Sequence, residues 1–484
     1  MRRDPDQSLR RLWLAVAGLL LLHLPLIPRR TFDPDELEHA HAAWCLFRGM
    51  LPYKDFFEHH TPWYYYTLRP LFHGFAVDAS FEGARDFLLV ARALSFVLTV
   101  ASVLLVGRLG RRFRDRRVGA VAALLLASQP LFFKKTLEIR PDLLALPLFL
   151  AALCRLLDGL AGGDDAPAPL RAFAVAGLSL GAAVMCTQKM LFVLPGLLVG
   201  LGPWVASPGR ARPRLGAVAA FLVGVAAPGL ATWGAFALQH AGPEFIANNF
   251  LLNARWKHVV TRQWIRLLKT SAPVLGLAAL ALIADGRRLS RPARDGAARD
   301  HGAIVLACTM LGLFAGVRVI PTAQAQYYLM PLPLVCLFAA EGLFLLAGRA
   351  PRPALLLGVA AAGLAILPVL GVKDAFTARN DAQLARLRQV FETTRPTDLV
   401  MDGWEGVGVF RPHAFYYYFI HEELLPMLDP RRVDAFLDDL ESGRVRPKLI
   451  ALDPNLTALG PRFLAFVARG YTSDDGFLYY ARGS

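Results

Sequence analysis

The chain has 484 residues, 55% of them hydrophobic, at a mean hydropathy of +0.40. That composition excludes an ordinary soluble domain, because the apolar residues gather in runs of membrane-spanning length separated by short charged loops. The net charge of +15 raises the question of nucleic acid, but the arginines lie in loops between apolar runs, where they set membrane topology, so no nucleic-acid partner is implied.

The first run, LWLAVAGLLLLHLPLIP, lacks a small-residue cleavage site and ends at Pro28-Arg29-Arg30, so it reads as a retained first helix that also serves as insertion signal. With this run, near 12–28, apolar segments fall near 87–106, 118–133, 143–160, 171–187, 190–206, 214–238, 272–284, 302–317, 328–347 and 354–371. They make about eleven transmembrane helices. The charged stretches MRRDPDQSLRR, GRLGRRFRDRR, SPGRARPR, DGRRLSRPARDG and GRAPRP fall on alternate sides in register with a cytoplasmic N-terminus. The same parity puts TFDPDELEHAH, KKTLEIRPD, TQK, the loop 240–271, VIPTAQAQ and the chain after about residue 372 on the outer side. Five cysteines are scattered, mostly within spans, and their spacing offers neither a disulfide framework nor a zinc knuckle.

The first outer loop, residues 29–86, opens with Asp33, Asp35, Glu36 and Glu38. In DELEHAHAAWCLFRG, Leu37, Ala40, Ala43, Trp44 and Phe47 share a helical face that stops at Gly49, which reads as a helix lying along the membrane surface. Acids at its start have an ordinary explanation in capping. Thr61-Pro62 reads as the cap and first position of a second surface helix carrying Trp63, Tyr64, Tyr65 and Tyr66.

Later in the chain, ARWKHVVTRQWIRLLK places Arg255, Lys257, Arg262, Arg266 and Lys269 on the outer side. It reads as a basic, aromatic helix fit for anionic lipid headgroups, whether a lipid-phosphate substrate or ordinary lipid. Beyond Lys373 the long apolar runs stop. Helical patterns (Leu384, Leu387, Phe391; Val433, Phe436, Leu437, Leu440) alternate with the strand-like runs DLVMDGW, PKLIALDP and FLYYA, which predicts a small α/β domain outside the membrane.

A first span, an outer loop beginning Asp35-Glu36, and then Gly49, Pro52, Tyr53, Asp55, Phe56, His60, Pro62 and Tyr65 form an ordered pattern, with one residue more than usual before the histidine. It continues in LEIRPDLLAL, TQKMLFVLPG and QAQYYLMPLP. This pattern, over residues 10 to about 345, resembles the polyprenyl-phosphate-sugar-dependent glycosyltransferases of the GT-C fold. That group includes protein O-mannosyltransferases, lipid A aminoarabinose transferases and bacterial galacturonosyl transferases. The resemblance implies a polytopic α-helical GT-C-like module over 1–372 with a small extracytoplasmic α/β domain over 373–484. It further implies transfer of a sugar from a polyprenyl-phosphate-linked donor to a lipid, glycan or protein acceptor, on the outer face of a bacterial plasma membrane.

In that family an acid of the first loop is the base, which carried over gives Asp35 or Glu36, with Asp142 in support. Arg140, Lys189, Arg255, Lys257 and His60 are then candidates for the donor phosphate. The chemistry agrees: a sugar hydroxyl is a poor nucleophile that a placed carboxylate can deprotonate, and a phosphate leaving group needs cations rather than an acid. Each residue also has a plainer reading, Lys189 as a snorkelling anchor and Tyr327 and Tyr328 as interface-belt aromatics. No cofactor is called for. A divalent ion stays an open alternative, since Glu38 with His41, or Asp35 with His39, could share a helical face, although no HExxH or CxxC spacing supports one. The other functional class is a transporter or flippase, but the spans carry few ionisable residues at mid-membrane, and polar groups gather on the outer face instead.

Overall fold

The computed structural model describes residues 5–161, 169–207, 211–256, 262–289, 300–320, 323–350 and 377–482, with positions 360 and 363. Apolar runs become helices in chain order. They are α1 (Pro5–Leu21), α2 (Pro34–Phe47), α3 (Trp63–Leu68), α4 (Phe81–Phe113), α5 (Arg116–Ala127), α6 (Pro130–Lys135), α7 (Pro141–Leu160) and α8 (Leu170–Cys186). After these come α9 (Val193–Val205), α10 (Ala211–Leu238), α11 (Gly242–Ile246), α12 (Leu252–Arg255), α13 (Gln263–Leu289), α14 (His301–Val319) and α15 (Leu332–Ala347).

Among the described residues, seven helical stretches are long and apolar enough to cross a membrane, and Leu170–Cys186 and Leu332–Ala347 are shorter apolar helices. Every apolar segment read from the sequence falls on a described helix except 354–371, which apart from positions 360 and 363 lies outside the described residues.

Local chemistry starts the helices where the sequence turns polar. Ser80 caps α4 by accepting the Gly83 N–H at 3.1 Å, and Asp115 caps α5 by accepting those of Arg117 and Val118. The α4–α5 crossing depends on small residues: a Cβ at Gly110 would lie 2.5 Å from the Gly119 Cα, and one at Gly119 only 2.2 Å from the Gly107 carbonyl oxygen. Backbones that approach so closely leave no space for a side chain.

The C-terminal region is the expected α/β unit. Helix α16 (Asp381–Thr393), β1 (Val400–Asp402), α17 (Pro430–Glu441), β2 (Leu449–Ala451), α18 (Pro454–Thr457), α19 (Pro461–Gly470), β3 (Tyr471–Thr472) and β4 (Leu478–Ala481) follow one another. The sheet order is β1-β2-β4-β3, with β1 and β2 parallel (Val400 opposite Leu449) and the other pairs antiparallel. The predicted strands fall where expected.

This unit lies on the first outer loop. Arg30 pairs with Arg379 as a β-bridge, and the Gln383 amide bonds both the N–H (2.8 Å) and the carbonyl (3.0 Å) of Phe32. Phe410 packs edge-on against Phe72 and Phe87. Consequently α2 is not a membrane-surface helix: its apolar face packs inward as expected, but Glu38, His39 and His41 on the other faces are buried too. Helix α3 departs in the same way, being a short helix with Tyr64 and Tyr65 buried. Amphipathic sequence showed a covered face; it did not show that a segment about 370 residues later covers the opposite one.

The predicted basic surface helix is also differently built. Helix α12 ends at Arg255, Lys257 lies outside the described residues, and Trp264 and Lys269 belong to the first turns of α13, at one end of a helix long enough to cross a membrane.

Candidate active site

The loops that charge parity puts on one side of the membrane meet in one cavity of about 680 Å³. Asp33, Asp35, Glu38 and His39 come from α2 and its cap, His59 and His60 from the rest of the first loop, and Lys135, Arg140 and Asp142 from the α6–α7 turn. Gln188 and Lys189 precede α9, Asn249, Asn253 and Trp256 surround α12, Gln324 and Tyr327 precede α15, and Trp404, His421 and Glu423 come from the C-terminal unit.

The acids of the entry loop separate by role. Asp33 is the N-cap of α2, and Glu36 completes a capping box by accepting the Asp33 N–H at 2.9 Å. Glu36 is fully buried, its two oxygens held by Arg92 at 2.7 and 2.8 Å, and it also accepts the Ile139 N–H. Both oxygens are occupied away from the cavity. Asp35, one residue earlier and about 100° around the helix, faces the cavity at 22% side-chain exposure, 2.6 Å from the Arg140 guanidinium. The carryover left Asp35 and Glu36 as equals; the fold assigns Glu36 to structure and leaves Asp35 at the cavity.

Around Asp35 runs an alternating network. Arg140 reaches Asp33 at 3.3 Å and also bonds Glu138, while Lys135 bridges Asp33 (2.9 Å) and Glu138 (3.0 Å). Burial would raise the Asp33 carboxyl, but the Arg140 and Lys135 charges outweigh it and bring it down to about 2. Lys189 sits 3.5 Å from Asp142 and 4.0 Å from the centre of the Tyr327 ring, so Tyr327 belongs to the site rather than to an interface belt. Tyr328 instead packs among Leu267 and Val317. Arg255 is exposed and outside the cavity lining, although its neighbours Ala254 and Trp256 line it, because adjacent positions of a helical turn point apart.

A second group borders the first. Glu58 accepts the backbone N–H groups of His59 and His60 and pairs with His60 Nδ1 at 2.9 Å. Burial, then the nearby Glu58 and Asp35 charges, push the Glu38 carboxyl well up, while burial holds His39 and His59 below the usual imidazole range. Ligand atoms of Glu38, Glu58, His59 and His60 lie within 4.8 Å of one another, and this mixed N/O donor set could hold a divalent ion.

The raised Glu38 has a testable sign. Its contribution to stability is fully present below its unfolded value near 4.5 and is lost as pH rises through the higher folded value. Glu38→Gln is therefore expected to melt like the wild type at pH 4 and to be the more stable protein at pH 9, read by thermal unfolding in detergent.

Among the described residues, His59 Nδ1, Gln188 Oε1, Asn249 Oδ1 and Trp404 Nε1 are buried without a hydrogen-bond partner, and all four residues line this cavity. Polar atoms left open in this way are commonly completed by a ligand or water. Trp404 and Trp256 flank the His421 ring at 5.4 and 5.8 Å between centres, and Glu423 ties His421 (3.0 Å) to Gln324 (2.8 Å). Sequence reading did not assign Trp404, His421 or Glu423, since no motif marks them. Lys135 sat in view in KKTLEIRPD, where its i,i+3 spacing to Glu138 was the available signal.

Comparison with known proteins agrees with the fold. The model of the dolichyl-phosphate-mannose-protein mannosyltransferase family matches residues 69–232. Comparison with curated proteins gives no match. Among solved structures, the chain is similar to ArnT from Cupriavidus metallidurans bound to undecaprenyl phosphate, at 14% identity and a TM-score of 0.67 over 97% of each chain. Its apo form gives 0.68 over 98% of each. The Archaeoglobus fulgidus oligosaccharyltransferase tethered to an acceptor peptide aligns at 13% identity and a TM-score of 0.55, over 98% of this chain and 74% of that one. The chain is a polytopic membrane protein with the GT-C glycosyltransferase fold.

Proposed function

We propose that the chain transfers a sugar from a polyprenyl phosphate to a lipid, glycan or protein acceptor, with Asp35 as the base. The observation that carries this reading is the division of the entry acids: Asp35 faces the cavity, with the cationic Arg140, Lys135 and Lys189 lining the same space. The acceptor hydroxyl gives its proton to Asp35 as its oxygen bonds to the anomeric carbon, and the bond from that carbon to the phosphate oxygen breaks. Lys189 and Arg140 balance the charge gathering on the departing phosphate, and Asp142 positions Lys189. His60, paired with Glu58, is a further contact for the donor. Direct displacement inverts the anomeric configuration, and a product of retained configuration would exclude it.

In support, one similar structure holds undecaprenyl phosphate, and an archaeal oligosaccharyltransferase of the same fold is in complex with an inhibitory peptide and a dolichol-phosphate. We assign residues 1–372 to the catalytic membrane module and 373–484 to an α/β domain that closes the cavity with Trp404, His421 and Glu423. The active face is placed on the outer, periplasmic side of a bacterial plasma membrane, and the donor sugar is a hexose or pentose. The ionisable groups that line the cavity come from the loops and helix ends on one side of the bundle, which favours chemistry at the surface over translocation.

The reading is tested by offering purified protein a panel of radiolabelled polyprenyl-phosphate hexoses and pentoses with a membrane extract as acceptor source. Movement of one label to a new acceptor supports it, and label that leaves no donor in any extract opposes it. Lys189→Met is expected to lower that transfer on the order of 10²-fold with the protein still folded. An unchanged rate would remove Lys189 from the phosphate site.

A further inference from the structure

On the flank of α2 turned toward the C-terminal unit lies a second cluster, apart from the cavity. His41 and Cys45, at i and i+4 on α2, are 4% and 0% exposed, and His413 reaches them from the segment after β1. His41 Nε2 lies 2.8 Å from His413 Nδ1, and Cys45 Sγ lies 3.9 Å from that same nitrogen. All three donor atoms fall within 4.8 Å of one another.

The His41 ring is fixed from behind: its Nδ1–H donates to the Val409 carbonyl at 2.9 Å, which leaves Nε2 with its lone pair toward His413 and Cys45. A backbone carbonyl behind a ring nitrogen is the usual support of a metal-ligating histidine. Beside the cluster is a small void of about 20 Å³, bordered by His41, His413 and Met401, enough for one water or a fourth donor.

We propose that His41, Cys45 and His413 bind one thiophilic metal ion, Zn²⁺ or Cu⁺, which clamps α2 to the segment that carries Trp404 and His421. Bond lengths of about 2.0 Å to nitrogen and about 2.3 Å to sulfur in a tetrahedral site set N···N at about 3.3 Å and N···S at about 3.5 Å. The two separations from His413 Nδ1, 2.8 and 3.9 Å, are therefore within about half an ångström of a coordinated geometry. One thiolate with two imidazoles selects a soft or borderline ion over Mg²⁺ or Ca²⁺. The clamp holds Asp35, on α2, against the C-terminal wall of the cavity. It is separate from the Glu38, Glu58, His59 and His60 group, which offers no sulfur.

The test is a Co²⁺ titration of chelator-stripped protein in detergent. One equivalent should produce the near-ultraviolet thiolate-to-cobalt charge-transfer band, which is absent in Cys45→Ser, reduced in His413→Gln and retained in Cys186→Ser. Displacement of the cobalt by Zn²⁺ or by Cu⁺ then identifies the preferred ion. A wild type without the band, or a band that survives Cys45→Ser, overturns the proposal. If Cys45→Ser fails to fold, X-ray absorption of the zinc-loaded wild type decides instead. A shell of one sulfur and two imidazole nitrogens is expected, and a shell without sulfur overturns the site.

Discussion

Asp35→Asn is expected to slow sugar transfer by roughly 10²- to 10⁴-fold, the range lost when a placed general base is removed, while the folded protein melts as the wild type does. Asn keeps the shape and the Arg140 contact through its amide oxygen but cannot take a proton. Asp35 caps nothing: the capping oxygens of α2 belong to Asp33 and Glu36, so the substitution leaves the helix start intact. Donor binding, measured with labelled polyprenyl-phosphate sugar, should change little, because the cations that face the phosphate remain. Transfer by Asp35→Asn within about threefold of wild type, well inside the range a base supplies, would show that another group accepts the proton.

Arg92→Ala is expected to do the reverse, with a loss of about 3–5 kcal/mol of stability before any question of catalysis arises. Arg92 is 1% exposed, stacks 3.9 Å over Phe32, grips both oxygens of Glu36 and donates to the carbonyls of Ile27, Arg30 and Thr31. Its removal strands a buried carboxylate and three carbonyls in the turn that presents Asp35. The pair Glu36→Gln with Arg92→Met should recover part of that loss, since replacing both charges leaves no unpaired buried charge and only the three carbonyls unmet. Chemical unfolding of the single and double variants measures both terms. An Arg92→Ala protein within about 0.5 kcal/mol of wild type, typical of a neutral surface change, would mean that the ion pair does not hold the turn.

Part of this arrangement was legible in the residues. Hydrophobic run length gave the spans, and loop charge grouped on one side six distant segments that the fold brings to one cavity. The separation of Asp35 from Glu36 was legible in principle. Asp33-x-x-Glu36 has capping-box spacing, which would have committed Glu36 to the helix start. Arg255 was misplaced because charge and nearness in sequence do not report which way a turn points. Trp404, His421 and Glu423 were out of reach, because they arrive at the cavity only once α16 has docked on Phe32 and β1 has paired with β2. The burial of the polar faces of α2 follows from the same docking, and local pattern carries no trace of it.

The most direct measurement places the purified protein in sealed vesicles that carry a radiolabelled polyprenyl-phosphate sugar and an acceptor extract on the cavity side. Cleavage of the sugar from its phosphate and movement of the donor between leaflets are followed together. The account predicts acceptor-dependent cleavage, one polyprenyl phosphate released per sugar transferred, and its loss in Asp35→Asn. Donor that crosses the bilayer with the sugar-phosphate bond intact, at the same rate in Asp35→Asn, would contradict it and make the protein a transporter.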